Sequence, residues 1–180
     1  MPRLIGIDEA GYGPLLGPLV VGASAWEVDD AAAAGELWTP LAECVTAAPR
    51  RGDWRLTVGD SKQVFSRSGG VGSLERSVLG FLRATGAAAA TPAELLAALG
   101  ATPPAATLPW YAALVGGLPL APTQAASDAV VAKLGRTMQA AGVRCTALLA
   151  EVVPEDEFNA RVGQTGNKAT VLLERVLRLV

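Results

Sequence analysis

The sequence predicts an α/β domain, because short apolar runs bounded by Gly or Pro alternate with segments of helical periodicity. Two apolar runs, 4–8 and 19–28, lie on either side of a turn rich in Gly and Pro, and they predict a pair of strands. A third run, 143–153, lies between Gly142 and Pro154 and predicts another strand. The chain has 180 residues, about the size of one domain, so we expect a single core.

The helices are predicted from apolar spacing and from capping residues. Ser73 is a candidate N-cap for a helix with apolar residues at 74, 78, 81 and 82. Thr91 and Pro92 begin a short helix that Gly100 ends. The predicted helices cover 30–47, 73–82, 91–99, 123–141, a short segment from 156, and a last helix from 167 or 168 that is still running at residue 180. The segments 58–62 and 66–72 are predicted to be polar loop.

Composition excludes several classes of function. Histidine is absent, which removes Ser-His-Asp and Cys-His catalysis and His-based zinc sites. The net charge of −2 argues against binding nucleic acid by bulk charge alone. Cys44 and Cys145 lack metal-site spacing and predict two reduced thiols. We expect a cytoplasmic protein without a membrane segment, since the longest apolar stretch, 15–26, is short and interrupted by Gly and Pro.

Asp8 and Glu9, at the end of the first apolar run, are the candidate catalytic residues. Burying a charged carboxylate is costly without a partner, and a divalent cation such as Mg²⁺, which prefers carboxylate oxygen ligands, is a natural partner. Successive strand side chains point to opposite faces, so both acids reach one ligand only if the strand ends or bulges here. Gly11 and Gly13 permit that break and let backbone groups approach a ribose 2′-hydroxyl. Alternatively, the acids cap a hairpin and the glycines only make its turn.

Two further polar or aromatic segments have both a structural and a functional interpretation. Asp60-Ser61-Lys62 either forms a loop with a solvated lysine or places Lys62 on a phosphate, with Ser61 as a hydrogen-bond donor. Trp110 and Tyr111 either stack a base or pack a loop onto the core, and packing is the more common use of such a pair.

The stretch 4–14, continuing through 17–21, resembles the N-terminal signature of type 2 ribonuclease H (ribonuclease HII), in which I-D-E-A-G-R-G-P precedes a second G-P and an apolar strand. Asp60-Ser61-Lys62 matches the next motif of that family, in the right order. Residues 1–28 and 58–66 match specifically and 143–180 weakly. We therefore expect one domain over 1–180, interrupted at about 67–142 by an insertion of helices and Pro/Gly-rich loop.

The resemblance implies a ribonuclease H-like mixed sheet with flanking helices, whose first three strands are antiparallel. It implies a hydrolase that uses Mg²⁺ or Mn²⁺ to cut RNA in RNA/DNA hybrids, or at a ribonucleotide embedded in duplex DNA. Asp8 and Glu9 would be catalytic metal ligands. Gly11, Tyr12 and Gly13 would form the sugar-sensing loop, and Ser61 and Lys62 would contact the backbone. We infer no obligate protein partner from the sequence.

The chain departs from the family pattern in three ways. Tyr12 replaces the usual arginine, a permanent phosphate-pairing cation. Two further aspartates of the family have no counterpart in matching context, and one of them belongs to a strand after the last helix. That strand would pair beside the first, so we expect 4–8 to be an open edge. We expect the chain to be either the N-terminal portion of a longer protein or a divergent member that closes its sheet differently, and we expect its nuclease activity to be low.

Three functional hypotheses follow, and each has its own discriminating observation. The first is a metal-dependent endoribonuclease of the ribonuclease HII type. The second is a non-catalytic relative that binds hybrids without cleaving them, even with Mn²⁺. The third is a phosphotransferase or ATPase of the actin and sugar-kinase class, which also places an acid and glycines after its first strand and would be stabilised by ATP. Asp60-Ser61-Lys62, in register, favours the first hypothesis.

Overall fold

The computed structural model describes residues 1–12, 17–30, 35–50, 52–67, 70–104, 109–113, 115–122 and 125–180. These residues form an α/β arrangement, as the sequence predicts. The strands are β1 Arg3–Ala10, β2 Leu19–Val28, β3 Val45–Thr46, β4 Leu56–Thr57 and β5 Val143–Val153. The helices are α1 Ser61–Arg67, α2 Val71–Ala84, α3 Pro92–Ala98, α4 Asp128–Ala140, α5 Glu155–Thr165 and α6 Lys168–Val176, with a 3₁₀ turn at Tyr111–Ala113.

The main sheet has three strands in the order β1-β2-β5, and both pairings are antiparallel. The predicted strand pair and the third strand are therefore confirmed. The sheet is antiparallel throughout the described residues rather than mixed, and the described parallel pairing is the short ladder of β3 with β4. Among the described residues β1 pairs with β2 and with no other strand, so 4–8 lies on an open edge there, in agreement with the prediction.

One face of the sheet is covered by the segment between β2 and β5. Helix α4 buries Val130, Leu134 and Met138, whose spacing of four residues places them on one side of the helix. They pack with Cys145 of β5 in a cluster that we call the first core, whose other buried members are Leu41, Cys44, Val45, Leu56 and Ala126. The rings of Trp26 and Phe81 meet edge to face at 5.7 Å and join β2 to α2.

The opposite face of the sheet is covered by the residues that follow β5. Leu19 and Val21 of β2 and Val153 of β5 are fully buried there and form the centre of what we call the second core. Partly buried side chains pack against them, namely Tyr12, Phe158, Leu172, Val176 and Leu179. Helices α5 and α6 thus cover the face opposite to α2 and α4.

Five predicted local structures differ from the observed ones. The helix predicted at 30–47 is wrong for 37–47, where turns lead into β3, while 31–34 lies outside the described residues. Residues 61–67 form helix α1 rather than a loop, and α2 begins at Val71, two residues before the predicted cap. The helix predicted from 123 begins at Asp128, with Ser127 as its N-cap. The last helix ends at Val176 instead of continuing to the final residue.

The cysteines are placed as predicted. Cys44 and Cys145 are both buried and neither forms a disulfide. The Sγ of Cys44 lies 3.2 Å from the Oγ1 of Thr137, and burial raises the pKa of the Cys145 thiol to about 11. Across the described part of the chain, no helix combines the length and apolar character needed to cross a membrane.

Candidate metal and nucleic-acid site

Asp8 and Glu9 lie on β1, are exposed, and are followed by one more strand residue. The register with β2 is continuous from Arg3 to Ala10, so the predicted break at the two acids is wrong, and the strand ends at Gly11 instead. In a regular strand the two carboxylates point to opposite faces. The Oδ1 of Asp8 accepts a hydrogen bond from the Glu9 backbone N–H at 2.9 Å. One of the two carboxylates therefore lies on each face of the sheet.

Gly11 makes the turn out of β1 and has no room for a side chain. Its φ is +84°, and a Cβ built on it would lie 2.1 Å from the carbonyl oxygen of Pro18. The backbone at Pro18 is thus held directly against Gly11, where β2 begins. This geometry supports the interpretation that Gly11 closes the hairpin, and it leaves the sugar-sensing role of its backbone as a prediction.

Tyr12 packs inward. Its ring is half-buried and contacts the second core, beside Leu19, Val21 and Val153. Tyr12, which stands where the ribonuclease HII pattern has arginine, therefore contributes apolar contact at the base of the loop. Gly13, the other predicted loop residue, lies outside the described residues.

Asp60, Ser61 and Lys62 begin helix α1. The Oδ1 of Asp60 accepts hydrogen bonds from the backbone N–H groups of Lys62 and Gln63, both at 3.1 Å, which is the geometry of an N-cap. Ser61 and Lys62 are exposed, and none of the described ion pairs involves Lys62. Asp60 could have been recognised from sequence, because aspartate is a preferred N-cap residue.

Glu151 lies on the same side of the sheet as Glu9. Both residues are register partners of Val21, so the three side chains form a row across β1, β2 and β5. Adjacent strands are about 4.8 Å apart, which places the backbones of the two glutamates roughly 10 Å from each other. Glu151 is paired with two arginines: its Oε1 accepts bonds from Nη1 of Arg175, in α6, at 2.7 Å and from Nη1 of Arg178, two residues after the helix, at 3.2 Å.

Arg175 is only 4% exposed and is held by two carboxylates. Its second bond is from Nη2 to the Oε1 of Glu157, at 2.5 Å. Burial lowers the pKa of Arg175, but the bonds to Glu151 and Glu157 outweigh it and raise the pKa above its ordinary value. Its Nε is buried without a partner in the described structure. Glu151 is therefore committed to an ion-pair network between β5, α5 and α6.

Glu155, which sequence reasoning did not select, connects the loop after β1 to the 3₁₀ turn. Its Oε1 accepts a hydrogen bond from the Gly17 N–H at 2.9 Å, and its Oε2 accepts one from the Tyr111 hydroxyl at 2.6 Å. The Tyr111 bond lowers the pKa of Glu155, while burial and then this carboxylate raise the pKa of Tyr111 to about 12. No sequence pattern identifies this link, because the partners are 138 and 44 residues away from Glu155.

Of the two aromatic residues beside that link, Tyr111 is hydrogen-bonded to Glu155, whereas Trp110 is largely exposed. Trp110 is 55% exposed, and its ring centroid lies 6.3 Å from that of Tyr111. Neither ring belongs to the described core clusters, so packing onto the core, the favoured interpretation, stays a prediction. Trp110 remains a candidate for stacking.

Asp8 and Glu9 do not converge as ligands for one divalent cation. Mg²⁺ needs several oxygen ligands directed at one point. Asp8 and Glu9 diverge across the strand, and the described residues contain no group of three or more acidic or cysteine side chains positioned to hold a metal. As placed, the two acids do not fit a single ion, so we derive no chemical step through one.

Comparison with known proteins finds no matching family model, no matching characterised protein and no matching solved structure.

Proposed function

We propose that the chain is a nucleic-acid-processing domain of the ribonuclease HII type, which recognises RNA/DNA hybrids or ribonucleotides embedded in duplex DNA. The observation that carries the proposal is the Asp-Glu-Ala-Gly segment itself. Its two acids are exposed on β1, and its glycine turns the backbone sharply at the end of the strand. A turn of this kind presents backbone groups that can distinguish ribose from deoxyribose through the 2′-hydroxyl.

The arrangement of strands adds support. Strands β1, β2 and β5 form an antiparallel series with β2 in the centre, as the resemblance implies for the first three strands of the fold. Helices α2 and α4, within the predicted insertion 67–142, pack on one face of the sheet, so they enlarge the domain without interrupting the series. Divalent ions in this family supply the hydrolytic chemistry, and Asp8 and Glu9 are the residues that the motif assigns to them.

The second candidate is a relative that binds hybrids without cutting them. It is favoured because Asp8 and Glu9 point to opposite faces of β1, and because Glu151 is already paired with Arg175 and Arg178. On either candidate we expect hybrid binding, and we expect low cleavage by residues 1–180 alone.

The test compares three labelled duplexes of one sequence: all DNA, RNA/DNA hybrid, and DNA with one ribonucleotide. Fluorescence anisotropy with purified chain should show tighter binding to the two ribose-containing duplexes. Equal affinity for all three, or thermal stabilisation by ATP and not by hybrid, would contradict the proposal. Cleavage with Mg²⁺ or Mn²⁺, lost in Asp8→Asn, would select the nuclease over the binding protein.

A further inference from the structure

The carboxylate of Glu155, the first residue of α5, connects three segments that are far apart in the sequence. Its Oε1 accepts a bond from the Gly17 N–H at 2.9 Å, and its Oε2 accepts one from the Tyr111 hydroxyl at 2.6 Å. Gly17 belongs to the loop between β1 and β2, whereas Tyr111 belongs to the predicted insertion 67–142. The two oxygens of one side chain therefore tie the insertion to that loop.

The bond to Gly17 fixes the loop where it returns to the Asp-Glu-Ala-Gly segment. Pro18 directly follows Gly17, and a Cβ built on Gly11 would lie 2.1 Å from the Pro18 carbonyl oxygen. Consecutive Cα atoms are held about 3.8 Å apart, so a shift of Gly17 is transmitted to Pro18 and from there to Gly11. Glu155 thus acts on the glycine that ends β1 through Gly17 and Pro18.

The groups that make this link are in the protonation states that the hydrogen bonds need. The Tyr111 bond lowers the pKa of Glu155, so this side chain stays a carboxylate whose oxygens accept. Burial, and then the bond to Glu155, raise the pKa of Tyr111 to about 12, so the hydroxyl keeps the proton that it donates. Hydrogen bonds to a charged acceptor are stronger than those between neutral groups. The link is therefore complete at neutral pH.

The position of α5 on the sheet is set by other contacts. Phe158 packs against the second core, and Glu157 is bonded to Arg175. By contrast, Glu155 and Tyr111 do not belong to the described core clusters. Because the helix is already attached, the main effect of the Glu155 bonds is to place the loop.

We infer that Glu155 and Tyr111 are positioning residues, which hold the loop after β1 in the conformation that distinguishes ribose from deoxyribose. The inference rests on the proposed function, because it assigns recognition of the 2′-hydroxyl to backbone groups of this loop. It gives the insertion a part in that recognition, since Tyr111 lies within it. Without the link the loop still meets a duplex, but its backbone groups are no longer held in advance for the 2′-hydroxyl, so selectivity falls.

The experiment measures selectivity, defined as the dissociation constant of the all-DNA duplex divided by that of a ribose-containing duplex of the same sequence. Fluorescence anisotropy with the purified chain gives both constants. Tyr111→Phe removes one hydroxyl and Glu155→Ala removes both bonds, and each should lower selectivity by about fivefold, as expected for the loss of one hydrogen bond. Glu155→Gln keeps an acceptor for the Gly17 N–H and should retain most of the selectivity.

Asp156→Ala is the matched control, because it removes the same charge from the same turn of α5. The Oδ1 of Asp156 accepts a local bond from the Glu157 N–H at 2.8 Å, and none of the described hydrogen bonds joins Asp156 to the loop. This variant should change the affinity for all the duplexes alike and leave selectivity at the wild-type value. A loss of selectivity in Asp156→Ala equal to that in Glu155→Ala would overturn the inference.

The remaining outcomes separate the inference from the proposed function. Wild-type selectivity in Tyr111→Phe, with circular dichroism showing a folded chain, would overturn the inference and leave the proposed function intact. Tyr111→Phe decides the question even where Glu155→Ala fails to fold, since it removes a single oxygen atom. A wild type that binds all the duplexes equally would contradict the proposed function and the inference with it.

Discussion

Replacing Gly11 by alanine should destabilise the hairpin that joins β1 to β2. The new Cβ would lie 2.1 Å from the Pro18 carbonyl oxygen, and real Cβ atoms essentially never come within 3.0 Å of another heavy atom. The atom in the way is backbone, so no change of rotamer relieves the clash. The two segments would have to separate by the difference, 0.9 Å, where the second core begins.

The expected loss has two parts. Holding alanine at a φ of +84° costs about 1 to 2 kcal/mol, as for other non-glycine residues in left-handed backbone. Overpacking at a close contact costs about 1 to 3 kcal/mol more. Together they amount to roughly 2 to 5 kcal/mol, a large share of the roughly 5 to 15 kcal/mol that stabilises a typical domain.

Gly17→Ala is the matched control in the same loop. Gly17 has a φ of +100°, but a Cβ built there would meet nothing within 4 Å, so only the conformational cost applies. Urea unfolding of the wild type and both variants, followed by circular dichroism, measures the two losses. If Gly11→Ala is no less stable than Gly17→Ala, the close approach of Gly11 to Pro18 contributes nothing to the loss of stability, contrary to expectation.

Three further predictions concern charge and hydrogen bonding. Arg55 lowers the pKa of Asp53 from 3.8 to about 2, so its contribution is present above pH 3.8 and is lost as the pH falls toward 2. Asp53→Asn should therefore lower the free energy of unfolding by about 1 to 2 kcal/mol at pH 7 and by almost nothing near pH 2, and a pH-independent difference would contradict this. Glu155→Gln should lower the pKa of Tyr111 from about 12 only part of the way toward its ordinary value of 10, because burial, the larger cause, persists. Ultraviolet titration of the phenol measures this pKa, and an unchanged titration would show that the hydrogen bond to Glu155 is absent. Lys62→Ala should weaken binding to hybrids of every sequence, and it should reduce the slope of log K against log salt by the amount expected for about one phosphate contact. An unaltered slope would show that Lys62 is a solvated side chain that contacts no phosphate.

The strands were predictable because an apolar run and the Gly or Pro residues that bound it are local features of the sequence. The run at 143–153 lies between Gly142 and Pro154 and is mostly apolar, and the structure places β5 at those same residues. Helices with polar first turns were harder to predict. Helix α1 was missed because Asp60, its N-cap, lies in a segment too polar to show apolar periodicity. The alanines near residue 30 predicted a helix from composition alone, whereas the residues that follow pack into the first core as turns.

The candidate site was only partly predictable. The motif located Asp8, Glu9 and Gly11 at the end of β1, but their directions depend on where the strand stops, and Gly11 rather than Asp8 stops it. The link from Glu155 to Gly17 joins residues that only the folded chain brings together. Local propensity carries no information about such contacts.

The absence of β1 residues from both described clusters has a dynamic consequence. A strand that buries little apolar area is held mainly by its ladder with β2, so it can detach while the two layers around β2 and β5 stay folded. In amide hydrogen exchange, the β1 protons should therefore be replaced well before those of β2 and β5. The segment that carries the two acids is then the least stable part of the sheet, and a ligand that binds there would also stabilise β1.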